Sequence, residues 1–116
     1  MLFRSAEALR ERLHAAARAG LHEDAVVLDP GFGFGKLLEH NTELFAALPR
    51  LCLLPRPLLV GVSRKSMLRA IAGTESDALE HATTSAHLLA ALAGAAILRT
   101  HHIPAAVAMQ IGRAHV

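Results

Sequence analysis

Asp29-Pro30-Gly31-Phe32-Gly33-Phe34-Gly35-Lys36 directly follows the apolar run from Ala25 to Leu28 and opens into residues with helical spacing. The order is strand, glycine loop, helix, with an acid at the end of the strand. Glycines alternating with aromatics leave bare backbone that a flat ligand can approach, because glycine puts no side chain in the way and tolerates positive φ. Two better-known glycine loops are excluded. A Walker loop needs a glycine five positions before its Gly-Lys pair and a Ser or Thr after it, and those places hold Pro30 and Leu37. A dinucleotide fingerprint needs Gly-x-Gly-x-x-Gly, whereas Gly31, Gly33 and Gly35 are evenly spaced by two.

The same arrangement recurs twice. Leu58 to Val62 is a short apolar run followed by Ser63-Arg64-Lys65-Ser66, and Ala95 to Leu98 is another, followed by Arg99-Thr100-His101-His102. Helical spacing fills the intervals. Ala6, Leu9, Leu13 and Ala16 form one stripe between Ser5 and Ala19, with Gly20 as a stop. Leu37, Asn41, Leu44, Phe45 and Leu48 form a second, which should end or kink at Pro49, since proline disfavours helical geometry in the residue before it. Glu75 to Ala93 is a long alanine-rich helix stopped by Gly94, and Pro104 suits the first turn of a last helix. The predicted order is α-β-α-β-α-β-α. Strands separated by helices pair in parallel, so all three present their polar ends at one rim. A (β/α)8 barrel builds its site at that rim, and an open doubly wound sheet binds ligands there too, so the alternation admits both.

The 116 residues are 53% hydrophobic and 19% charged, with 12 Lys and Arg against 10 Asp and Glu, which predicts one globular domain. A nearly balanced charge with no dense basic run gives no support for nucleic-acid binding. The apolar runs are broken by Pro55, Arg56, Arg64 and Arg99 well short of the roughly 20 residues of a bilayer span, so no membrane helix is expected. The single cysteine, Cys52, has no internal disulfide partner and reads as a small buried hydrophobe; with no charged-then-apolar leader, the reducing cytoplasm is the expected location. His40, His81, His87 and His102 do not combine with carboxylates in a recognised ligand spacing, and no protein metal site is assigned. Most histidines are expected at the surface or in caps.

Taken singly, each polar cluster has an ordinary reading. Asp29-Pro30-Gly31 is also a common strand exit, and Ser63 a common helix cap followed by solvated charges. Taken together, Leu28 to Lys36, His40-Asn41, Gly61-Val62-Ser63-Arg64-Lys65-Ser66 and Arg99-Thr100-His101 resemble the C-terminal part of dihydropteroate synthase, in the family's order and with its gaps, over residues 5 to 110. The resemblance implies an α/β fold made of about three βα units, the C-terminal portion of a (β/α)8 TIM barrel with parallel strands. It implies condensation of a dihydropterin methyl diphosphate with p-aminobenzoate, giving dihydropteroate and pyrophosphate for folate synthesis, with sulfonamides competing for the p-aminobenzoate place. A non-catalytic pterin- or phosphate-binding module and a pterin-dependent methyltransferase fragment are the alternatives.

By the same resemblance Asp29 holds the pterin ring, Lys65 reaches its polar edge, Arg99 lies on the ring face near the diphosphate, and His101 helps hold that anion. Lys65, Arg99 and His101 are the expected catalytic residues. Phe34, with Gly33 and Ser66, borders the p-aminobenzoate pocket, and Gly61 and Ser63 belong to the substrate-binding motif. Mg2+ is expected with the substrate diphosphate, its protein ligand lying in the family's N-terminal half, and a homodimer is expected of the complete enzyme through the late barrel helices.

Two departures stand out. A barrel of this kind takes roughly 250 residues, so this chain is expected to be a fragment, inactive alone, with open sheet edges that favour aggregation. His102 stands where the family usually carries Asp, and weaker positioning of His101 is the expected consequence. Residues 111–116 read as one translation frame of a sequencing-adapter sequence and are expected to be a non-native tail.

Overall fold

The computed structural model describes residues 2–32, 38–62, 66–73 and 75–114. Its helices are α1 (Leu2–Arg18), α2 (Leu38–Ala46), α3 (Leu48–Leu51), α4 (Ser66–Ala72), α5 (Ser76–Ala93) and α6 (Ile103–Ala114); its strands are β1 (Leu59–Val60), between α3 and α4, and β2 (Ile97–Leu98), between α5 and α6. β1 and β2 pair in parallel, Leu59 beside Ile97 and Val60 beside Leu98. On the other side of β1, Leu28 makes a parallel bridge to Leu58. The order across the sheet is therefore Leu28, β1, β2.

The first predicted strand is shorter than its apolar run. Glu23–Ala25 is a 3-10 turn, and only Leu28 reaches sheet geometry. The partner strand has no donor for the preceding rung: Leu28 O accepts from Leu59 N, so Val26 O would face Pro57, which has no N–H, and Arg56 caps it instead, Nε donating to the Val26 carbonyl at 3.1 Å and Nη2 to the Asp24 carbonyl at 3.3 Å. Backbone acceptors at the amino end of the run are thus taken by a guanidinium. Nor is the run covered on both faces, because Leu28 is buried while Val27 is 43% exposed.

The helices enclose one core on the sheet. Leu28, Leu58, Val60 and Val62 come from the sheet segments, Leu44, Leu48 and Leu51 from α2 and α3, Met67 and Leu68 from α4, and Leu79, Ala86 and Ala90 from α5, with Leu13 of α1 closing the side. Pro49 acts as foreseen: α2 stops at Ala46, and the proline sits in the first turn of α3, where a missing N–H leaves no hydrogen bond unmade. At the end of α5, Gly94 has φ 117° and a Cβ there would lie 3.0 Å from Cys52 Cβ. Both facts select glycine as the stop. Burial pushes the Cys52 thiol upward, as expected of a small hydrophobe at the core's edge.

The buried face of α5 also carries Thr83 and His87. His87 is 1% exposed, its Nε2 has no hydrogen-bond partner among the described residues, and burial holds its imidazolium form below the ordinary range. It differs from the surface and capping histidines expected elsewhere. His102 is one of those caps: its Nδ1 accepts from Ala105 N at 3.2 Å at the start of α6. α6 continues to Ala114, four residues into the segment set apart as a tail. Among the described residues no helix is long and apolar enough to cross a membrane.

Candidate functional site

Asp29, Gly61 and Arg99 each come just after a sheet segment, so parallel pairing puts them at one end of the sheet. Asp29 is fixed first by its own turn, since its Oδ1 accepts from Gly31 N at 2.8 Å. Arg99 is fixed by the ladder, its N donating to the Val60 carbonyl at 3.0 Å. The Arg99 Nη1 then meets the free Asp29 oxygen, Oδ2, at 3.1 Å.

That contact has to span a strand. Neighbouring strands lie roughly 4.8 Å apart, so the first and third segment ends are about twice that distance apart, and the arginine must lie down over the middle one. The residue in the middle is Gly61. A Cβ at Gly61 would sit 2.6 Å from Arg99 Nη2, 2.8 Å from Nε and 2.9 Å from Cζ, inside contact distance. Only the absence of a side chain admits the guanidinium. With side chains 50% and 35% exposed, the ion pair is screened by water and adds about 0–1 kcal/mol to stability. Its significance is placement, because a carboxylate with acceptor oxygens and a planar cation share one rim.

The other predicted residues divide into two groups. His101 lies exposed two residues beyond Arg99, in the segment joining β2 to α6, and is not part of the Asp29–Arg99 pair. Gly33, Phe34, Ser63 and Lys65 lie outside the described residues; of Ser66 only the backbone is described, as the first residue of α4. The glycine loop's first aromatic is a core residue: Phe32 is 1% exposed and meets Phe45 edge-on, ring centroids 6.0 Å apart. Beside Asp29 a hollow of about 490 Å3 opens between α1 and the Leu28 segment, lined by Leu9, Arg12, Val27, Asp29 and Pro30 among others.

The sequence matches the pterin binding enzyme family over residues 3–101. The chain belongs to that family. Among curated pterin-binding enzymes it is 42% identical over 99 residues to the dihydropteroate synthase of Neisseria meningitidis serogroup C, covering 84% of this chain and 35% of that one. Among solved structures it superposes on Xanthomonas albilineans dihydropteroate synthase with 4-aminobenzoic acid at a TM-score of 0.90 and 39% identity, over 98% of this chain and 45% of that one. The same enzyme in complex with 7,8-dihydropteroate gives a TM-score of 0.89 at 41% identity, over 97% and 45%. The chain thus spans about a third of the length of the curated relatives it matches.

Proposed function

We propose that this chain is the C-terminal portion of a dihydropteroate synthase, supplying the last three βα units of a (β/α)8 barrel and one side of its substrate site. The observation that carries the reading is the Asp29–Arg99 pair lying over Gly61 at the carboxyl ends of parallel segments. The relatives bound to 4-aminobenzoic acid and 7,8-dihydropteroate support the same substrates here. The reaction joins a dihydropterin methyl diphosphate to p-aminobenzoate and releases pyrophosphate.

In this reading Asp29 accepts the adjacent N–H donors of the pterin, and the charge is tolerable at the rim because it is paired. Lys65 reaches the ring's polar edge. Arg99 stacks on the flat ring while its guanidinium edge donates to phosphate oxygens, a combination that lysine cannot reproduce. If the diphosphate leaves before the amine attacks, negative charge grows on its oxygens, and Arg99 with His101 stabilises it where it develops. No nucleophilic side chain is needed. Gly33, Phe34 and Ser66 border the p-aminobenzoate place, where sulfonamides would compete.

Mg2+ would accompany the diphosphate and neutralise part of its charge. The described residues do not fit a metal cage: no group of three or more His, Cys, Asp and Glu converges, and both Asp29 oxygens are engaged. No step above runs through the ion. The complete enzyme would act in the cytoplasm as a homodimer joined by its late helices, and residues 111–116 would be absent from it as non-native.

Co-expression with the N-terminal portion of the Neisseria meningitidis relative, followed by an assay for dihydropteroate, tests the reading. Turnover is expected from the pair and none from this chain alone, and Lys65→Ala should abolish it. Turnover indifferent to both Lys65→Ala and Arg99→Ala would overturn the assignment.

A further inference from the structure

The ion pair that marks the site also closes it. Of the two Asp29 oxygens, Oδ1 is held by its own turn through Gly31 N at 2.8 Å, and Oδ2 is held by Arg99 Nη1 at 3.1 Å. A ring offering N–H donors can take Oδ2 from the arginine and leave the turn intact. Arg99 meets Asp29 through Nη1, and an anion that draws its donors from that end of the guanidinium has to take Nη1 from the carboxylate. Val60 holds the Arg99 backbone, and the guanidinium rests in the space that Gly61 leaves empty.

Resting on the pterin-binding reading, we propose that Gly61 is a positioning residue that seats Arg99, and that the Asp29–Arg99 pair is the ligand-free setting of the site, exchanged when a pterin-type ring takes Asp29 Oδ2 and releases the guanidinium to an anion. The ring and the anion are then coupled. An anion arriving first has to break the pair itself, whereas after the ring has bound it finds the guanidinium already free and still seated over Gly61. Reciprocity follows, since each ligand raises the other's affinity by the same factor.

The test titrates the 116-residue chain, co-expressed with the N-terminal portion of the Neisseria meningitidis relative, with inorganic pyrophosphate, alone and saturated with 6-hydroxymethylpterin. The ring is expected to tighten pyrophosphate about two- to five-fold, the most that exchange of a water-screened pair can return. Asp29→Asn should bind pyrophosphate without the ring as tightly as the unaltered chain does with it. The same substitution in an Arg99→Ala background should bring no gain, which separates release of the guanidinium from mere removal of a negative charge. Gly61→Ala should weaken pyrophosphate binding when Arg99 is present and leave it unchanged in the Arg99→Ala background. If circular dichroism shows that Gly61→Ala fails to fold, the Asp29→Asn pair of measurements decides. Equal pyrophosphate affinity with and without bound ring overturns the exchange while leaving the proposed function standing, and equal effects of Gly61→Ala in both backgrounds overturn the seat. A folded assembly of the two portions that binds neither probe overturns the function and the exchange together.

Discussion

At the scale of single residues, Arg99 has the most to lose from a conservative change. Its planar fork spans a strand, rests where Gly61 has no side chain and reaches Asp29 at 3.1 Å. Lysine offers a point charge on a flexible stem and no flat face. Hydrogen bonds to charged groups are worth about 1.5–3 kcal/mol, so Arg99→Lys should lower kcat/KM of the reassembled enzyme roughly 10- to 100-fold, measured by dihydropteroate formation. His87 leads to a different experiment. Its buried imidazole has a pKa lowered by desolvation, so the folded state binds fewer protons than the unfolded one. Its stabilising neutrality is fully present above the ordinary value near 6.5 and is lost as pH falls from there toward the depressed folded pKa. Thermal melts should show stability dropping below about pH 6.5, with a flatter profile in His87→Leu; identical profiles would remove the role. Asp29 and Arg99 were legible as residue types at strand ends. The seat was not, because a glycine's value lies in what the fold puts above it, and no spacing rule reports that the third strand's arginine crosses the second.

At the scale of elements, the helical stripes and their stops were readable: α5 ends at Gly94, and Pro49 divides α2 from α3, because glycine and proline act through their own backbone geometry. The first strand was over-read, since its apolar run does not reveal that its partner at the next rung is Pro57, which has no N–H to give, so that the Val26 carbonyl goes to Arg56. The same limit applies to Phe32, which joins Phe45 in the core although it stands in a loop patterned for a ligand. His102 is a helix cap: Ala105 N donates to its Nδ1, and its own N donates to Thr100 Oγ1 at 3.2 Å. Side-chain caps contribute about 1 kcal/mol, so His102→Ala should destabilise the chain by about that amount in denaturant titrations. His102→Asp should restore it, since Asp caps with an oxygen and carries a negative charge favoured at a helix N-terminus.

At the scale of the whole molecule, no further strand pairs with the outer edge of Leu28 or of β2 among the described residues. Leu28 N and O both point toward the Leu58 segment, donating to Pro57 O at 2.9 Å and accepting from Leu59 N at 2.8 Å. Because ladder groups alternate, the backbone of Val27 and Asp29 faces the other way, along the hollow beside α1. Val27 at 43% and Ile97 at 41% exposure are half-exposed apolar side chains. Such edges recruit strands, so the isolated chain should self-associate, and the N-terminal portion of a relative should compete with that by pairing along the same edge. A charge placed there discriminates between the two states. Val27→Asp is nearly free of cost where Val27 is half exposed, and forfeits the burial of a valine, about 1.5 kcal/mol or more, where a neighbouring strand covers it. The substitution should therefore leave the melting temperature of the isolated chain within a degree or two, while weakening association with the N-terminal portion about ten-fold or more, as read by fluorescence titration of the two parts. Equal association of the substituted and unaltered chains would mean that the missing strands do not dock on the Leu28 edge, and that the barrel reading assigns this sheet the wrong neighbour.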